Sequence, residues 1–100
     1  MWGSLAHALG NAKRATVSFD AYHSRSSKVR VLMKQRGYDR KVLLVDVKLK
    51  KKFTRYQVST GMCESGCKKI RPDVRYDLIF QVGSSPGLFK IRNIDVEVDH

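Results

Sequence analysis

The feature that most constrains this chain is the alternation of apolar and polar residues in several short segments. Residues 42–50 form the clearest predicted strand, and residues 75–82 alternate cleanly, with Tyr76, Leu78, Phe80 and Val82 at every second position. Because successive side chains of a β-strand point to opposite faces, this period indicates strands with one buried face. The same period recurs over residues 17–22, 28–34, 42–50, 54–60, 88–92 and 94–98, so the sequence predicts six or seven short strands.

Turn residues separate these segments, notably Gly37 with Asp39 and the stretch from Gly83 to Gly87. A chain of 100 residues is the size of one domain. We therefore predict an all-β fold with minor α, a small antiparallel OB-like barrel of five to seven strands. Residues 16–100 would form this barrel, and residues 1–15 an N-terminal arm. In the arm, the segment Ser4–Leu9 predicts a short helix that Ser4 caps and Gly10 ends.

The composition is strongly basic, and the charge is concentrated in the middle of the chain. Lys and Arg number 20 against 9 Asp and Glu, which gives a net charge of +11. From Arg25 to Arg75 there are 16 basic residues and four acidic ones, whereas the last six residues carry three acids. Such a field indicates an anionic partner: nucleic acid, a glycosaminoglycan, anionic lipid or an acidic protein.

The candidate site follows from the strand pattern. Lys28, Arg30 and Lys34 point outward from one predicted strand, and Lys48 and Lys50 from the next. If the two strands pair as a hairpin, like charges share one face and destabilise it, and a bound polyanion would compensate. The alternative is a set of separately solvated side chains. The predicted polyanion-binding residues are Lys28, Arg30, Lys34, Arg36, Arg40, Lys41, Lys48, Lys50, Lys51, Lys52, Arg55, Lys68, Lys69 and Arg71.

The two cysteines, Cys63 and Cys67, flank three residues that include Gly66. This spacing allows a small disulfide loop, which favours an oxidising compartment; the alternative is two free thiols in a cytosolic protein. A zinc site needs two further ligands, and none of the histidines has ligand spacing near the pair. We expect neither a metal nor a cofactor.

Catalytic motifs are absent from the sequence. It contains no Gly-rich phosphate-binding loop, and no histidine stands in a recognisable pattern with a cysteine or serine. No two acidic residues lie in an apolar setting that would separate their pKa values for acid–base work. We therefore expect a non-enzymatic binding protein.

The segments around residues 28–31 and 42–53 resemble the netrin-like (NTR) module, an OB-type barrel. The most specific part runs from Cys67 through Tyr76, Leu78 and Ile79 to Gly83. The resemblance covers roughly residues 16–98 and implies an extracellular barrel that binds proteins or heparin-like polymers. The chain departs from the family in having two cysteines where NTR modules carry up to six. It also lacks the N-terminal cysteine of the protease inhibitors in that family, so no inhibitory activity is carried over.

The leading hypothesis is a secreted module, its leader removed, that binds an acidic protein or a sulfated polysaccharide through the basic strand face. A single-stranded nucleic-acid binder is the second hypothesis. Such proteins use exposed aromatic residues to stack bases, and here only Tyr22, Tyr38 and Phe53 are predicted to be free. The third is a secreted cationic membrane-active, reproductive or defensive protein in which Trp2 and Leu5 contact lipid. No apolar run approaches the ~18 residues that span a bilayer.

Overall fold

The computed structural model describes residues 2–8, 13–60, 62–63, 67–71, 74–83 and 86–99, with side chains from residue 13 onward. These residues form seven strands: β1 (Trp2–Ala8), β2 (Arg14–His23), β3 (Lys28–Gln35), β4 (Lys41–Lys48), β5 (Thr54–Ser59), β6 (Arg75–Val82) and β7 (Phe89–Asp99). All ladders are antiparallel, in a four-stranded sheet of order β1-β6-β3-β4 and a three-stranded sheet of order β5-β2-β7. The predicted all-β class is confirmed.

The core lies where the inward faces of the two sheets meet. Every second residue of β2 is fully buried, and β3 and β6 contribute Val31, Leu78 and Phe80 to the same cluster. Phe19 of the three-stranded sheet makes an edge contact with Phe80 of the other sheet, with ring centroids 5.1 Å apart. The period of two in the sequence therefore identified the buried face correctly.

The predicted N-terminal helix is wrong, and so is the minor α content, since no helix occurs among the described residues. Trp2–Ala8 forms strand β1, paired antiparallel with β6 from Trp2 opposite Gln81 to Ala8 opposite Arg75. Leu9 lies outside the described residues. A six-residue helix leaves most of its backbone groups without intrahelical partners and is marginal in water. The edge of β6 offers this segment a complete ladder of hydrogen bonds, which explains the outcome.

The closed barrel is also wrong, because no ladder joins the two sheets within the described ranges. Closure requires each edge strand to pair with another strand. The outer edge of β4 is instead occupied by the β5–β6 connection. Cys63 forms a parallel bridge with Leu44, and the amide of Lys68 donates to the carbonyl of Lys41 at 2.7 Å. The result is an open sandwich.

The two strands predicted at the C-terminus are one strand, β7, with an irregularity at Asn93. The β2–β7 register shifts between Ser18 and Asp20, and Asn93 has a φ of 53°. Asparagine adopts this left-handed conformation more readily than most residues. Its side-chain amide donates to Asp20 Oδ2 at 2.8 Å, which holds the bulge against β2.

Three connections meet at one end of the sandwich: β2–β3, β4–β5 and β6–β7. We call this region the three-loop end. Its backbone is cross-linked by the amide of His23 donating to the Lys50 carbonyl, that of Ser24 to Leu88, and that of Leu49 to Ser27, each at 2.9 Å. The β3–β4 and β5–β6 connections lie at the opposite end, because antiparallel strands place successive turns at alternate ends.

Candidate anion-binding surface

The predicted site residues fall into two groups rather than one continuous patch. Lys28 and Lys34 are six residues apart on β3, which is about 20 Å along a strand. Between them the outer face of the sheet carries Leu32, Leu44 and Ile79. Counter-ions screen charges over about 8–10 Å at physiological salt, so the two groups act independently. Lys28, Arg30, Lys48, Lys50, Lys51 and Lys52 lie toward the three-loop end, Lys34, Arg36, Arg40, Lys41, Lys68, Lys69 and Arg71 toward the opposite end, and Arg55 on the other sheet.

The predicted pairing of the two basic strands is present, and it brings two lysines directly opposite each other. β3 and β4 pair with Lys28 opposite Lys48 and Arg30 opposite Asp46. Both lysines are exposed, and neither has an ion-pair partner in the part of the chain that the structure describes. Like charges in such a cross-strand pair destabilise a sheet by a few tenths of a kcal/mol to about 1 kcal/mol.

Arg30, on the same face, is held by an acidic partner. Its Nε lies 3.0 Å from Asp46 Oδ1, and its second guanidinium nitrogen contact with the carboxylate is 3.4 Å. The hydrogen bond from Arg30, with the charges of Arg30 and Lys28, holds the pKa of Asp46 below its usual range. Asp46 is therefore ionised at neutral pH and fixes the orientation of the Arg30 guanidinium.

These side chains line a groove of about 700 Å³ at the three-loop end of the four-stranded sheet. The polar lining comprises Ser26, Ser27, Lys28, Arg30, Asp46, Lys48, Gln81 and Gly83, and the hydroxyl of Ser26 already donates to the Leu49 carbonyl. Gln81 stands opposite Arg30 on β6, so three neighbouring strands contribute to the groove. Among the described residues, the lining carries three cations, Lys28, Arg30 and Lys48, against the carboxylate of Asp46.

The loops that support the groove are tied together by buried contacts. His23 is 1% exposed, and its Nδ1 accepts a hydrogen bond from the amide of Arg25 at 3.1 Å. Ser26 Oγ donates to the Leu49 carbonyl at 2.9 Å. A Cβ on Gly87, whose φ is 132°, would lie 2.8 Å from the His23 ring, so a side chain is excluded there. These contacts therefore hold the loops beneath the groove in one arrangement.

At the opposite end, acidic residues pair with two of the predicted cations. Arg36 contacts Asp77 at 3.0 Å, and Lys41 contacts Asp39 at 2.8 Å. The hydrogen bond from Lys41 and its charge hold the pKa of Asp39 below its usual range. On the three-stranded sheet, Arg55 donates to Asp20 at 3.3 Å. Lys68 and Lys69 are the exposed lysines of this end without an ion pair among the described residues.

Sequence reasoning missed two sets of residues. Gln81 and Gly83 belong to the groove through the pairing of β3 with β6, which the sequence pattern does not encode. The second set is a cluster on the outer face of the three-stranded sheet. The guanidinium of Arg92 lies 3.8 Å from the centroid of the Phe53 ring, and Tyr22 meets the same ring edge-on at 4.7 Å. The sequence predicts that Tyr22 and Phe53 are free, but no sequence pattern indicates that Arg92 lies over the Phe53 ring.

Cys63 and Cys67 form a disulfide, as predicted. This bond is compatible with an extracellular location. Within the described ranges no group of three or more His, Cys, Asp or Glu side chains is placed to hold a metal ion. The same ranges contain no helix long and apolar enough to cross a membrane.

Comparison with known proteins found no matching family model, no matching curated protein and no matching solved structure. The resemblance to the NTR module therefore stays a prediction.

Proposed function

We propose that this protein is a secreted, non-enzymatic module that binds an anionic extracellular partner, an acidic protein or a sulfated polysaccharide, through the three-loop end. The observation that carries the proposal is the juxtaposition of Lys28 and Lys48, which face each other beside Arg30 in one groove and have no ion-pair partner among the described residues. Lys50, Lys51 and Lys52 extend the positive charge along the adjoining loop, and Lys51 and Lys52 are both exposed.

The cross-strand register supports this end over the other, because it sets Lys28 directly opposite Lys48. At the opposite end, two of the cations, Arg36 and Lys41, pair with Asp77 and Asp39. An incoming anion at the groove therefore meets two adjacent ammonium groups. The proposal keeps the basic strand face that the sequence predicts, and it restricts that face to the part containing the facing residues Lys28 and Lys48.

The test is binding to immobilised heparin and to immobilised polyglutamate as salt is raised. Binding should weaken steeply, because association with a polyanion releases counter-ions. The double variant Lys28→Gln/Lys48→Gln should lower affinity for at least one polymer and reduce the slope of log affinity against log salt by about 2.

The matched control is Lys68→Gln/Lys69→Gln, which removes the same charge from the opposite end. Its effect on affinity should be much smaller. Equal losses in the two double variants would show that only net charge matters, and the proposal would then fail. Binding that persists undiminished at about 0.5 M salt would contradict the electrostatic account altogether.

A second candidate function, binding of single-stranded nucleic acid, is supported by the cluster of Tyr22, Phe53 and Arg92. Bases stack on aromatic rings and on guanidinium planes, and Lys90, opposite Tyr22 on β7, adds a cation for the backbone. Titration with an oligonucleotide should then quench Tyr22 fluorescence, and Phe53→Ala should weaken binding. An unchanged tyrosine signal on titration would exclude this candidate.

A further inference from the structure

The groove lined by Lys28, Arg30, Lys48, Gln81, Ser27 and Gly83 is more specific than a basic surface. We infer that it is a subsite for one sulfate or phosphate ester group, in preference to a carboxylate. The inference rests on the proposed function, since it names the chemistry recognised at the same end of the molecule.

The first argument is the state of Arg30. A planar guanidinium binds a carboxylate or a phosphate through two parallel hydrogen bonds. In this structure, Nε and a terminal nitrogen of Arg30 both contact the carboxylate oxygens of Asp46, at 3.0 and 3.4 Å. Asp46 therefore occupies the fork, so an incoming anion must be bound mainly by the two ammonium groups, which act as point charges.

The second argument is the nature of the remaining donors. Lys28 and Lys48 offer compact ammonium charges from two strands, and Gln81 offers an amide from a third. Ammonium groups act as point charges without a planar preference. These three donors on three neighbouring strands can each meet a different oxygen of a sulfate or phosphate ester, which has three terminal oxygens where a carboxylate has two. Three cations against Asp46 leave a net charge of about +2 for an ester anion.

The third argument is that no aromatic ring lines the groove among the side chains that the structure describes, which begin at residue 13. Stacking of a base or of a sugar face needs an exposed ring, and Tyr22 and Phe53 lie on the other sheet. Gly83 borders the groove where an added Cβ would meet open space. Among the described side chains, the groove is thus shaped by charge and by hydrogen-bond donors.

The experiment compares small anions first. Amide chemical shifts are recorded while inorganic sulfate, inorganic phosphate or acetate is added at constant ionic strength. Sulfate and phosphate should saturate shifts at Lys28, Gln81 and Gly83, whereas acetate should not. The changes should disappear in Lys28→Gln/Lys48→Gln and persist in Lys68→Gln/Lys69→Gln. Gly83→Glu, which adds a carboxylate at the opening without a steric clash, should also abolish them.

Polymers and vesicles then identify the source of the ester. Dextran sulfate is compared with polyglutamate at matched charge, and phosphatidylcholine vesicles are tested with and without phosphatidic acid. The double groove variant should weaken dextran sulfate binding about tenfold or more. Capture by dextran sulfate alone assigns a sulfate ester, and capture by phosphatidic acid vesicles alone assigns a phosphate ester.

Failure of the subsite is distinguishable from failure of the proposed function. If polyglutamate binds as tightly as dextran sulfate and depends equally on Lys28 and Lys48, the preference for a tetrahedral ester is overturned and the binding function stands. If no polymer or vesicle depends on these lysines, both are overturned. Acetate shifts at Gly83 that match those from sulfate would also refute the inference.

Discussion

Replacement of Lys48 by glutamate should stabilise the fold while it damages anion binding. Lys48 stands directly opposite Lys28 on the outer face of the β3–β4 pair, and both side chains are exposed. The substitution converts a like-charge pair into an opposite-charge pair at the same register position. Stability and binding therefore change in opposite directions, which separates a functional lysine from a structural one.

The magnitude follows from the exposure of the pair. Removing the repulsion should contribute about 0.5 kcal/mol, and the new attraction about 0.5 kcal/mol, because water screens both. The free energy of unfolding should rise by about 1 kcal/mol at low salt. For a domain of this size, that corresponds to an increase in Tm of about 4–8 °C. At about 1 M salt the screening length falls to about 3 Å, so the gain should largely vanish.

The assay is urea unfolding at two salt concentrations, with two controls. Lys69→Glu makes the same change in net charge at an exposed lysine outside the strands, and it measures the general benefit of lowering a charge of +11. Lys28→Gln removes the partner, so in that background the extra gain from Lys48→Glu should disappear. If Lys48→Glu gained no more stability than Lys69→Glu, the two lysines would not repel each other. The argument for an uncompensated groove would then fail.

Three further predictions concern the fold that supports the groove. The carboxyl pKa values of Asp20, Asp39 and Asp46 are held below the usual range by hydrogen bonds from Asn93, Lys41 and Arg30, respectively, and by nearby cations. The stability that these carboxylates contribute is therefore present above about pH 4, and it is lost as the pH falls through the lowered pKa values. Urea midpoints measured between about pH 6 and about pH 2 should show this loss, and Asp46→Asn should make it shallower; a midpoint that rises on acidification would contradict the sign. Gly87→Ala should lower the free energy of unfolding by about 3 kcal/mol, because the new Cβ meets the His23 ring and the backbone conformation is strained for alanine. Gly37→Ala, where the new Cβ meets open space, should lower it by about 1 kcal/mol in the same assay. Equal losses would show that the contact with His23 is unimportant. Cys63→Ser/Cys67→Ser should lower the free energy of unfolding by about 2 kcal/mol, as expected for a disulfide that closes a five-residue loop. The affinity for dextran sulfate should not change. A loss of affinity would link the disulfide loop to the groove.

Period-two patterning predicted the strands well because it records burial directly. The predicted strand 75–82 coincides with β6, and Tyr76, Leu78 and Phe80 are all buried. The pattern fails where burial does not decide the structure. Residues 2–8 carry a weak helical signal, yet they form β1, because a free sheet edge is a property of the folded β6 and not of the segment itself.

The sequence predicted only those residues of the candidate site that lie on strands adjacent in the sequence. The β3–β4 hairpin and its lysines follow from local alternation and a turn, and the structure pairs them as expected. Gln81 and Gly83 join the groove from a strand some fifty residues away, through a pairing that no local pattern specifies. Ion pairs such as Arg36 with Asp77 depend on the same long-range register. A count of cations in the sequence therefore overestimates the charge available to a partner.

At position 48, the residue that would best stabilise the sheet differs from the residue that the proposed function requires. Asp46, two positions earlier on the same face of β4, shows that this face accommodates a carboxylate opposite a cation of β3. An acid at position 48 would extend the same arrangement to Lys28 and lower the net charge of a chain that has 20 cations and 9 acids. Selection for stability alone would favour that arrangement. A lysine at this position leaves the pair repelling and the groove positive. Under the proposed function, an anion that binds both ammonium groups would supply the compensation that the sheet lacks.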